Sequence, residues 1–429
     1  MSIKSDNKKG ENNESFQVVL SNPVNCIITD GTAIGTIIEN DQAGTILISE
    51  IRTSGPAGAG DDFVEIYNNS DSPHVVTGTS GGYGLFKMGA TCGDTPVLVG
   101  VIPNGTTIPA RGHYLFVGPT YSLANYGGAG AAAGDQTVAD IENDRNVAIF
   151  KTGSLLEIGT ANRLDAVGFG SNTGGTCDLF REGNTLTATS GSTLEHSYFR
   201  DECGKKGNPS TFGNCPTGGF TQDSNVNADD FIFADTNATA TVMGRRLGAP
   251  GPQNLGSPRF TLNVLALLLD STKGAAGNPN RVRDTTAIGP NAANGTLSIR
   301  RRFQNNTGAP VTKLRIRVVD ISTTFIAGGG VADLRLLTSG NTTDTVGDPA
   351  TCAASPGSPS TPCTITIFGT QLETPPAQPL GGGFNSSATT TTVTLGSPLA
   401  PGASVNLQLL LGVQTTGSFK FFFNVEALP

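Results

Sequence analysis

The sequence contains two glutamates on neighbouring predicted strands that could form an acid–base pair. Glu50 lies in the run ILISEI and Glu65 in FVEIY, and both runs have the pattern of β-strands. Two such groups could act as the acid–base pair of a glycosidase, with Asp165 as a further candidate, if a cleft held them at a fixed separation. In FVEIY, alternation places Glu65 opposite its apolar neighbours, which predicts a solvent-facing carboxylate. A structural role, at a strand end or in a pair with Arg52 or Arg163, is therefore the interpretation that we favour.

Histidines and a glycine-rich loop offer no recognisable reaction centre. His74, His113 and His196 are scattered, none is three or four residues from another, and no G-x-S-x-G motif accompanies them. We expect these histidines at the surface or at strand ends. The glycine-rich stretch 125–135 lacks the following helix that a dinucleotide-binding loop requires. The sequence therefore predicts that this chain is not an enzyme.

The seven cysteines include two pairs that are close in sequence and lie in loop-like segments. We predict disulfides Cys203–Cys215 and Cys352–Cys363, each closing a loop of about a dozen residues. Free thiols or a zinc site are the alternatives, although zinc sites usually contain a C-x2-4-C pair or a nearby histidine. A longer bridge Cys92–Cys177 is possible, but sequence does not decide connectivity. Disulfides would place the protein in an oxidising, exported environment.

The composition predicts an all-β protein that is rich in turns. The 429 residues include 57 glycines and 25 prolines, and only 14% of the residues are charged. No apolar run reaches the roughly 18–20 residues of a membrane-spanning helix, and no basic cluster is typical of a nucleic-acid binder. The polar N-terminus lacks the apolar stretch of a signal peptide, and we expect the chain to begin partway through a domain.

Strand and turn signals divide the chain into three units, at residues 1–42, 43–256 and 257–429. The first unit has too few strands to bury both faces, so we expect an incomplete β unit there. The other two are predicted to be tandem antiparallel β-sandwiches. In the last unit, Thr296–Phe303 and Leu314–Asp320 alternate in polarity and are joined by NNTGAP, which predicts a hairpin.

Charge is divided unevenly between these units. Residues 258–429 carry 12 basic and 8 acidic residues, whereas residues 1–257 carry 15 and 27. Arginines cluster on one face of the predicted hairpin: Arg300, Arg302, Arg315 and Arg317. We favour a solvated sheet face, or an edge that charge protects from aggregation. A contact with the acidic middle unit, or with an anion or acidic glycan, is the alternative.

The segment ESFQVVLSNPVNCIITDGTAIGTIIENDQ resembles the closing part of a Calx-beta domain. An acidic-plus-Phe strand, LSNP, an Asp-Gly turn, GTI and a final Asp occur in the family's order within residues 11–42. The front strands of the family are absent. Calx-beta domains can bind calcium through acidic loop residues, so the resemblance makes Glu14 and Asp41 candidate calcium ligands. Solvent-exposed carboxylates are the alternative, and no other cofactor is expected.

The middle unit resembles a lamin tail domain of the bacterial exported type over residues 44–256. The segments that carry the resemblance are ILISEIRTSGPAGAGDDFVEIYNNSDSP, IPARGHYLFVG, RLDAVGFG and STLEHSYFRD. The family's usual Trp is absent, and Tyr83 or Phe86 could fill its volume. The resemblance implies an immunoglobulin-like β-sandwich that serves as a binding or structural module. The C-terminal unit more loosely resembles bacterial immunoglobulin-like surface modules.

These expectations combine into a non-enzymatic structural or adhesion protein, extracellular or on the cell surface. Its tandem immunoglobulin-like β-sandwiches would contact proteins or glycans, since binding residues concentrate on loops that a rigid scaffold positions. We expect no nucleic-acid partner and no transmembrane segment in this chain. The alternative is an accessory binding region of an exported nuclease or other hydrolase whose catalytic domain is absent from the chain.

Overall fold

Strands account for nearly all of the regular structure in the computed structural model of this chain. The structure describes residues 14–19, 32–37, 44–124, 133–188, 193–203, 215, 218–237, 246–323, 330–355, 357, 360–394 and 397–429. The helices in these segments are short, at Leu155–Glu157, Gly175–Phe180, Asn227–Asp230, Pro349–Ala353 and Thr391–Thr394. The predicted all-β fold class is confirmed. Across the described segments, no helix has the length and apolarity needed to cross a membrane.

The N-terminal unit contains two antiparallel strands, β1 (Glu14–Val19) and β2 (Thr32–Ile37). Glu14 lies opposite Ile37 in the ladder. A two-stranded sheet is marginal in isolation, and because most of residues 1–42 lie outside the described segments, the incomplete unit stays a prediction. Asp41 lies outside the described residues, so the calcium site stays a prediction.

The middle unit is a two-sheet sandwich of mainly antiparallel strands. Its strands are β3 (Ile46–Arg52), β4 (Phe63–Asn68), β5 (His74–Val75), β6 (Gly82–Lys87), β7 (Val97–Pro103), β8 (Thr107–Ile108), β9 (His113–Val117), β10 (Gln136–Thr137), β11 (Val147–Phe150), β12 (Arg163–Val167), β13 (His196–Arg200), β14 (Phe231–Asp235) and β15 (Arg246–Leu247). One sheet has the order β10-β9-β4-β3-β13-β14-β15, the other β12-β11-β6-β7, and β5 pairs with β8. Strands β11 and β12 pair in antiparallel fashion.

Alternation along the strands explains the core of this sandwich. In β4, Val64 and Ile66 are fully buried in the same apolar cluster as Leu85 and Ile149 of the four-stranded sheet. Side chains at successive strand positions point to opposite faces, so Glu65 lies on the other face of the seven-stranded sheet. That outer face is therefore free to pack against another unit.

The C-terminal unit is a second sandwich. Its strands are β16 (Arg259–Phe260), β17 (Val264–Leu268), β18 (Arg281–Asp284), β19 (Thr296–Asn305), β20 (Lys313–Ile321), β21 (Asp333–Leu337), β22 (Thr342–Val346), β23 (Cys363–Ile367), β24 (Gln371–Leu372), β25 (Ser387–Thr389), β26 (Ser404–Thr415) and β27 (Phe421–Leu428). The two five-stranded sheets have the orders β16-β27-β20-β25-β24 and β17-β19-β26-β21, with β18 pairing with β19. Strands β22 and β23 form a separate ladder.

The predicted hairpin in this unit is wrong. Strands β19 and β20 do not pair, because β19 pairs with β17, β18 and β26, whereas β20 pairs with β25 and β27. The connection 306–312 crosses from one sheet to the other, a gap of about 10 Å. Leu297 and Phe303 of β19 then share one apolar core with Leu314 and Ile316 of β20. Turn composition alone does not distinguish a hairpin from such an arch.

The two sandwiches pack against each other through a continuous apolar core. Phe199, Ile232 and Ala234 lie on the seven-stranded sheet, yet they belong to the same cluster of buried residues as Phe384 and Val425. The backbone also crosses the junction, because Leu247 accepts a hydrogen bond from the Phe384 amide at 2.8 Å. The C-terminal unit therefore covers the outer face of the seven-stranded sheet.

Three disulfides are present in the described residues. Both predicted bridges, Cys203–Cys215 and Cys352–Cys363, are confirmed. The bridge Cys92–Cys177, which sequence left undecided, also forms and links positions 85 residues apart. Such bridges indicate an oxidising environment.

We expect replacement of Cys352 and Cys363 with serine to lower the free energy of unfolding by about 3 kcal/mol. The bridge spans 11 residues, so its loss restores conformational freedom to the unfolded chain. Urea unfolding of the oxidised double variant and the oxidised parent measures the difference. The two proteins should become equally stable after full reduction; a difference that persists would point to packing of the cysteines instead.

Candidate functional site

Glu50 and Glu65 are cross-strand neighbours on β3 and β4, as the sequence predicted. Both are nearly inaccessible, with 1% and 3% of their surface exposed, so the expectation of a solvent-facing Glu65 is wrong. The C-terminal sandwich covers this face, which alternation within one strand could not reveal. Glu50 accepts hydrogen bonds from the Ser197 hydroxyl and from the Gly251 amide at 3.0 Å. Glu65 accepts from the Ser49 hydroxyl and the Gln253 amide.

Arg317 of β20 reaches the same region from the opposite sandwich. Its Nε donates to Glu426 at 2.7 Å, its Nη2 to the Gly251 carbonyl at 3.2 Å, and its Nη1 to Asn385. Arg315 donates to the other oxygen of Glu426 at 2.6 Å. These groups form the junction cluster, a buried network of ionisable side chains defined by Glu50, Glu65, Arg315, Arg317 and Glu426. 

The arginines therefore correct one sequence-based interpretation. Arg315 and Arg317 are buried, so a solvated sheet face is wrong for them, and the alternative of a contact with the middle unit is confirmed for Arg317. Arg300 and Arg302 lie on β19, in the other sheet, where Arg300 pairs with Asp344 at 2.7 Å. The four side chains do not share a face because β19 and β20 do not form a hairpin.

Burial dominates the electrostatics of the junction cluster. A cavity of about 30 Å³ lies at its centre, lined by Glu50, Glu65, His113, Glu202 and Arg317, among others. Removal from water, followed by the nearby charge of Glu50, raises the pKa of Glu65 to about 8. Burial and the neighbouring arginines hold the pKa of His113 well below its ordinary value. At neutral pH, Glu65 is consequently protonated and His113 is uncharged.

We expect stability to fall as the pH rises from about 5 to 9. Glu65 has an ordinary pKa of 4.5 and a folded-state pKa of about 8. A raised pKa means that the folded state holds the proton more tightly, so its contribution is complete below pH 4.5 and is lost as the pH passes through 8. The variant Glu65→Gln cannot ionise, so between pH 5 and pH 9 its free energy of unfolding should fall by roughly 4 kcal/mol less than that of the parent.

Urea unfolding at pH 5, 7 and 9 checks this prediction. Glu142→Gln is the matched control, because Glu142 is exposed and its hydrogen bond from Lys87 lowers its pKa, so it titrates below this window. The free energy of unfolding of the control should change with pH as that of the parent does. If the free energy of unfolding of Glu65→Gln had the same pH dependence as that of the parent, Glu65 would be ionised in the folded state from pH 5 to pH 9.

Asp165 lies in a different buried cluster, on the opposite face of the seven-stranded sheet. Arg200 of β13 donates through Nη2 to both Asp165 oxygens, at 2.7 and 2.6 Å. Its Nη1 lies 3.3 Å from Asp230 and 3.5 Å from Asp223, and its Nη2 lies 3.9 Å from Glu182. Asp165 therefore does not converge with Glu50 and Glu65, and the three candidate carboxylates do not share one site.

Three acids of this second cluster have the spacing of a cation site. Glu182, Asp223 and Asp230 each offer an oxygen atom within 4.8 Å of the others. The Arg200 guanidinium lies within 4 Å of all three and supplies positive charge to the cluster. Burial, together with Asp165 and Asp223, raises the pKa of Glu182 to about 9. The cluster joins the two sheets of the middle sandwich, and sequence missed it because its members are scattered over residues 165–230.

The histidines are at strand starts, as expected, but two of them are not at the surface. His113 and His196 are buried, at the first positions of β9 and β13. His113 stacks on Tyr67 with ring centroids 4.8 Å apart, and His196 stacks on Phe233 at 5.2 Å. His74 contacts the Tyr83 hydroxyl at 3.0 Å. Packing against aromatic rings at the ends of these strands accounts for the burial.

An accessible cavity lies where the two sandwiches meet. This junction groove has a volume of about 520 Å³ and is lined mainly by residues 109–111 and Asp71 of the middle unit and by residues 259–263 of the C-terminal unit. Ligand sites commonly have volumes of about 300–1,000 Å³ and lie at domain junctions. The groove is therefore large enough for a ligand and open to solvent, whereas the cavity of the junction cluster is too small and is buried.

Comparison with protein-family models, with curated proteins and with solved structures found no match for this chain. The resemblances to lamin tail and Calx-beta domains therefore stay predictions from the sequence. Function has to be inferred from the geometry of the junction cluster, the Arg200 cluster and the junction groove.

Proposed function

We propose that this protein is a non-enzymatic structural or adhesion protein, extracellular or on the cell surface. Its two sandwiches would act as one rigid unit that presents loops and the junction groove to proteins or glycans. The observation that carries this proposal is the burial of Glu50 and Glu65 beneath Arg317. Both carboxylates lie in the buried junction between the sandwiches, where a substrate has no access.

Rigidity follows from the nature of the junction. Domains within a chain move relative to each other unless their interface is large and hydrophobic. Here the sandwiches share an apolar core that includes Phe199 and Phe384. Polar contacts extend the interface, since Asn424 donates to Glu202 and to the Gly219 carbonyl, each at 3.0 Å. Fixed geometry suits a surface protein, because loops held in place lose less entropy on binding.

Beads coated with the intact, oxidised chain test this proposal on arrays of glycans and extracellular proteins. We expect retention on a subset of these surfaces and no conversion of the bound molecules. Glu50→Gln and Glu65→Gln should retain the same binding. Turnover of an array glycan, a nucleic acid or a peptide that is lost in either variant would contradict the proposal, as would the absence of binding to every surface.

A further inference from the structure

Arg259 is a cation in the junction groove that pairs with no acidic group among the described residues. It begins β16 at the edge of its sheet and is half-buried. With the residues that the structure describes, its guanidinium makes no hydrogen bond and no ion pair. By contrast, Arg200, Arg315 and Arg317 all contact carboxylates. A partly desolvated guanidinium without a counter-ion favours an anionic ligand, above all a carboxylate or phosphate.

The opposite wall of the groove contains a second arginine, Arg111, which already has partners within the protein. Arg111 donates to Asp71 at 2.8 Å and to Asn69 at 2.7 Å, and its guanidinium lies 4.7 Å from the ring centre of Phe220. These contacts fix Arg111 in position but leave few donors for a ligand. Arg259 is therefore the group that would select the charge of an occupant.

The remaining lining suits a molecule with both hydroxyl groups and apolar faces. Leu262 is 68% exposed and Phe260 is half-buried, so apolar surface borders the arginine. Asn263 is exposed, and its side-chain amide makes no hydrogen bond with any described residue. An amide beside apolar surface can bind a sugar through its hydroxyls and its C–H groups.

We propose that the junction groove binds acidic saccharides, with Arg259 pairing with the carboxylate of a uronic acid. The sugar hydroxyls would contact Asn263, and its apolar face would lie against Leu262. This inference rests on the proposed function and names the ligand class for it. A saccharide fits better than an extended peptide, because β16 is only two residues long and offers too short an edge for strand addition.

Calorimetric titration of the intact, oxidised chain with trigalacturonate and triglucuronate tests the proposal, with maltotriose as the neutral comparison. We expect binding of at least one uronate, and Arg259→Gln should weaken it about 10–100-fold, as expected for loss of a charge-assisted hydrogen bond. Arg283→Gln is the matched control, because Arg283 is an exposed arginine of the same sandwich outside the groove. It should bind as the parent does.

Several results would overturn the inference. They are the absence of binding to both uronates at millimolar concentration, equal affinity for maltotriose, and full affinity in Arg259→Gln. Tighter binding of a pentaglutamate peptide would assign the groove to acidic peptides instead. Each of these leaves the proposed function standing if the chain still binds other surfaces. Cleavage of a uronate trisaccharide during the titration would contradict the proposed function itself.

Discussion

Replacement of Arg200 with methionine is expected to lower the free energy of unfolding by about 3–5 kcal/mol. Arg200 is the central cation of a cluster with Asp165, Glu182, Asp223 and Asp230, all of which are buried. Methionine keeps most of the side-chain volume but removes the charge and the hydrogen bonds. The carboxylates must then lose their charge or be hydrated, and either outcome weakens the contact between the two sheets of the middle sandwich.

Urea unfolding at pH 7 measures this loss. Arg181→Met is the matched control, because Arg181 pairs with the half-exposed Asp178 across one turn of chain. Exposed pairs of this kind contribute about 0–1 kcal/mol. Arg200→Lys keeps the charge, so its free energy of unfolding should lie between those of the parent and Arg200→Met. Equal stabilities of Arg200→Met and Arg181→Met would show that the cluster contributes little.

Replacement of Arg317 with methionine should lower the free energy of unfolding by a similar amount, about 3–5 kcal/mol. It should also allow the two sandwiches to unfold separately. Arg317 donates to Glu426, Asn385 and the Gly251 carbonyl, and so connects β20 to the segment that leads out of the middle sandwich. Its loss leaves these acceptors buried with fewer donors. The sandwiches should then unfold in two steps, whereas the parent should unfold in one.

Calorimetry can separate one step from two, because a single cooperative transition has equal calorimetric and van't Hoff enthalpies. Arg302→Met is the control. Arg302 lies on the other sheet of the same sandwich. Within the described segments, the only polar contact of its side chain is the hydrogen bond to the Ser404 hydroxyl at 3.3 Å. It should unfold as the parent does. A single transition of parental stability in Arg317→Met would mean that apolar contacts alone join the sandwiches.

Local patterns predicted the strands well but did not predict how strands are arranged in space. The runs around Glu50 and Glu65 alternate in polarity, and both form strands that pair with each other. The turn NNTGAP has the composition of a hairpin turn, yet it joins β19 and β20 across two sheets. Pairing is decided by which apolar faces meet, and a turn of polar residues does not specify that.

The candidate site was harder to predict because its members are far apart in sequence. Glu65 alternates with apolar residues, and the covering sandwich that buries it begins about 190 residues later. Arg317 reaches Gly251 across 66 residues, and Arg200 reaches Asp165 across 35. One sequence signal did point to the junction, namely the opposite net charges of residues 1–257 and residues 258–429. That signal indicates contact, but it does not identify the residues.

Residue-resolved hydrogen exchange at the backbone amides of Gly251 and Gln253 tests whether Glu50 and Glu65 are sealed from solvent. These amides donate to Glu50 and Glu65 inside the junction, so their exchange reports whether both carboxylates are sealed between the sandwiches. We expect protection as strong as that of the core strands β3 and β4, with exchange only through global unfolding. Exchange at the rate of an unprotected loop would contradict it, because the carboxylates would then lie in a cleft open to solvent.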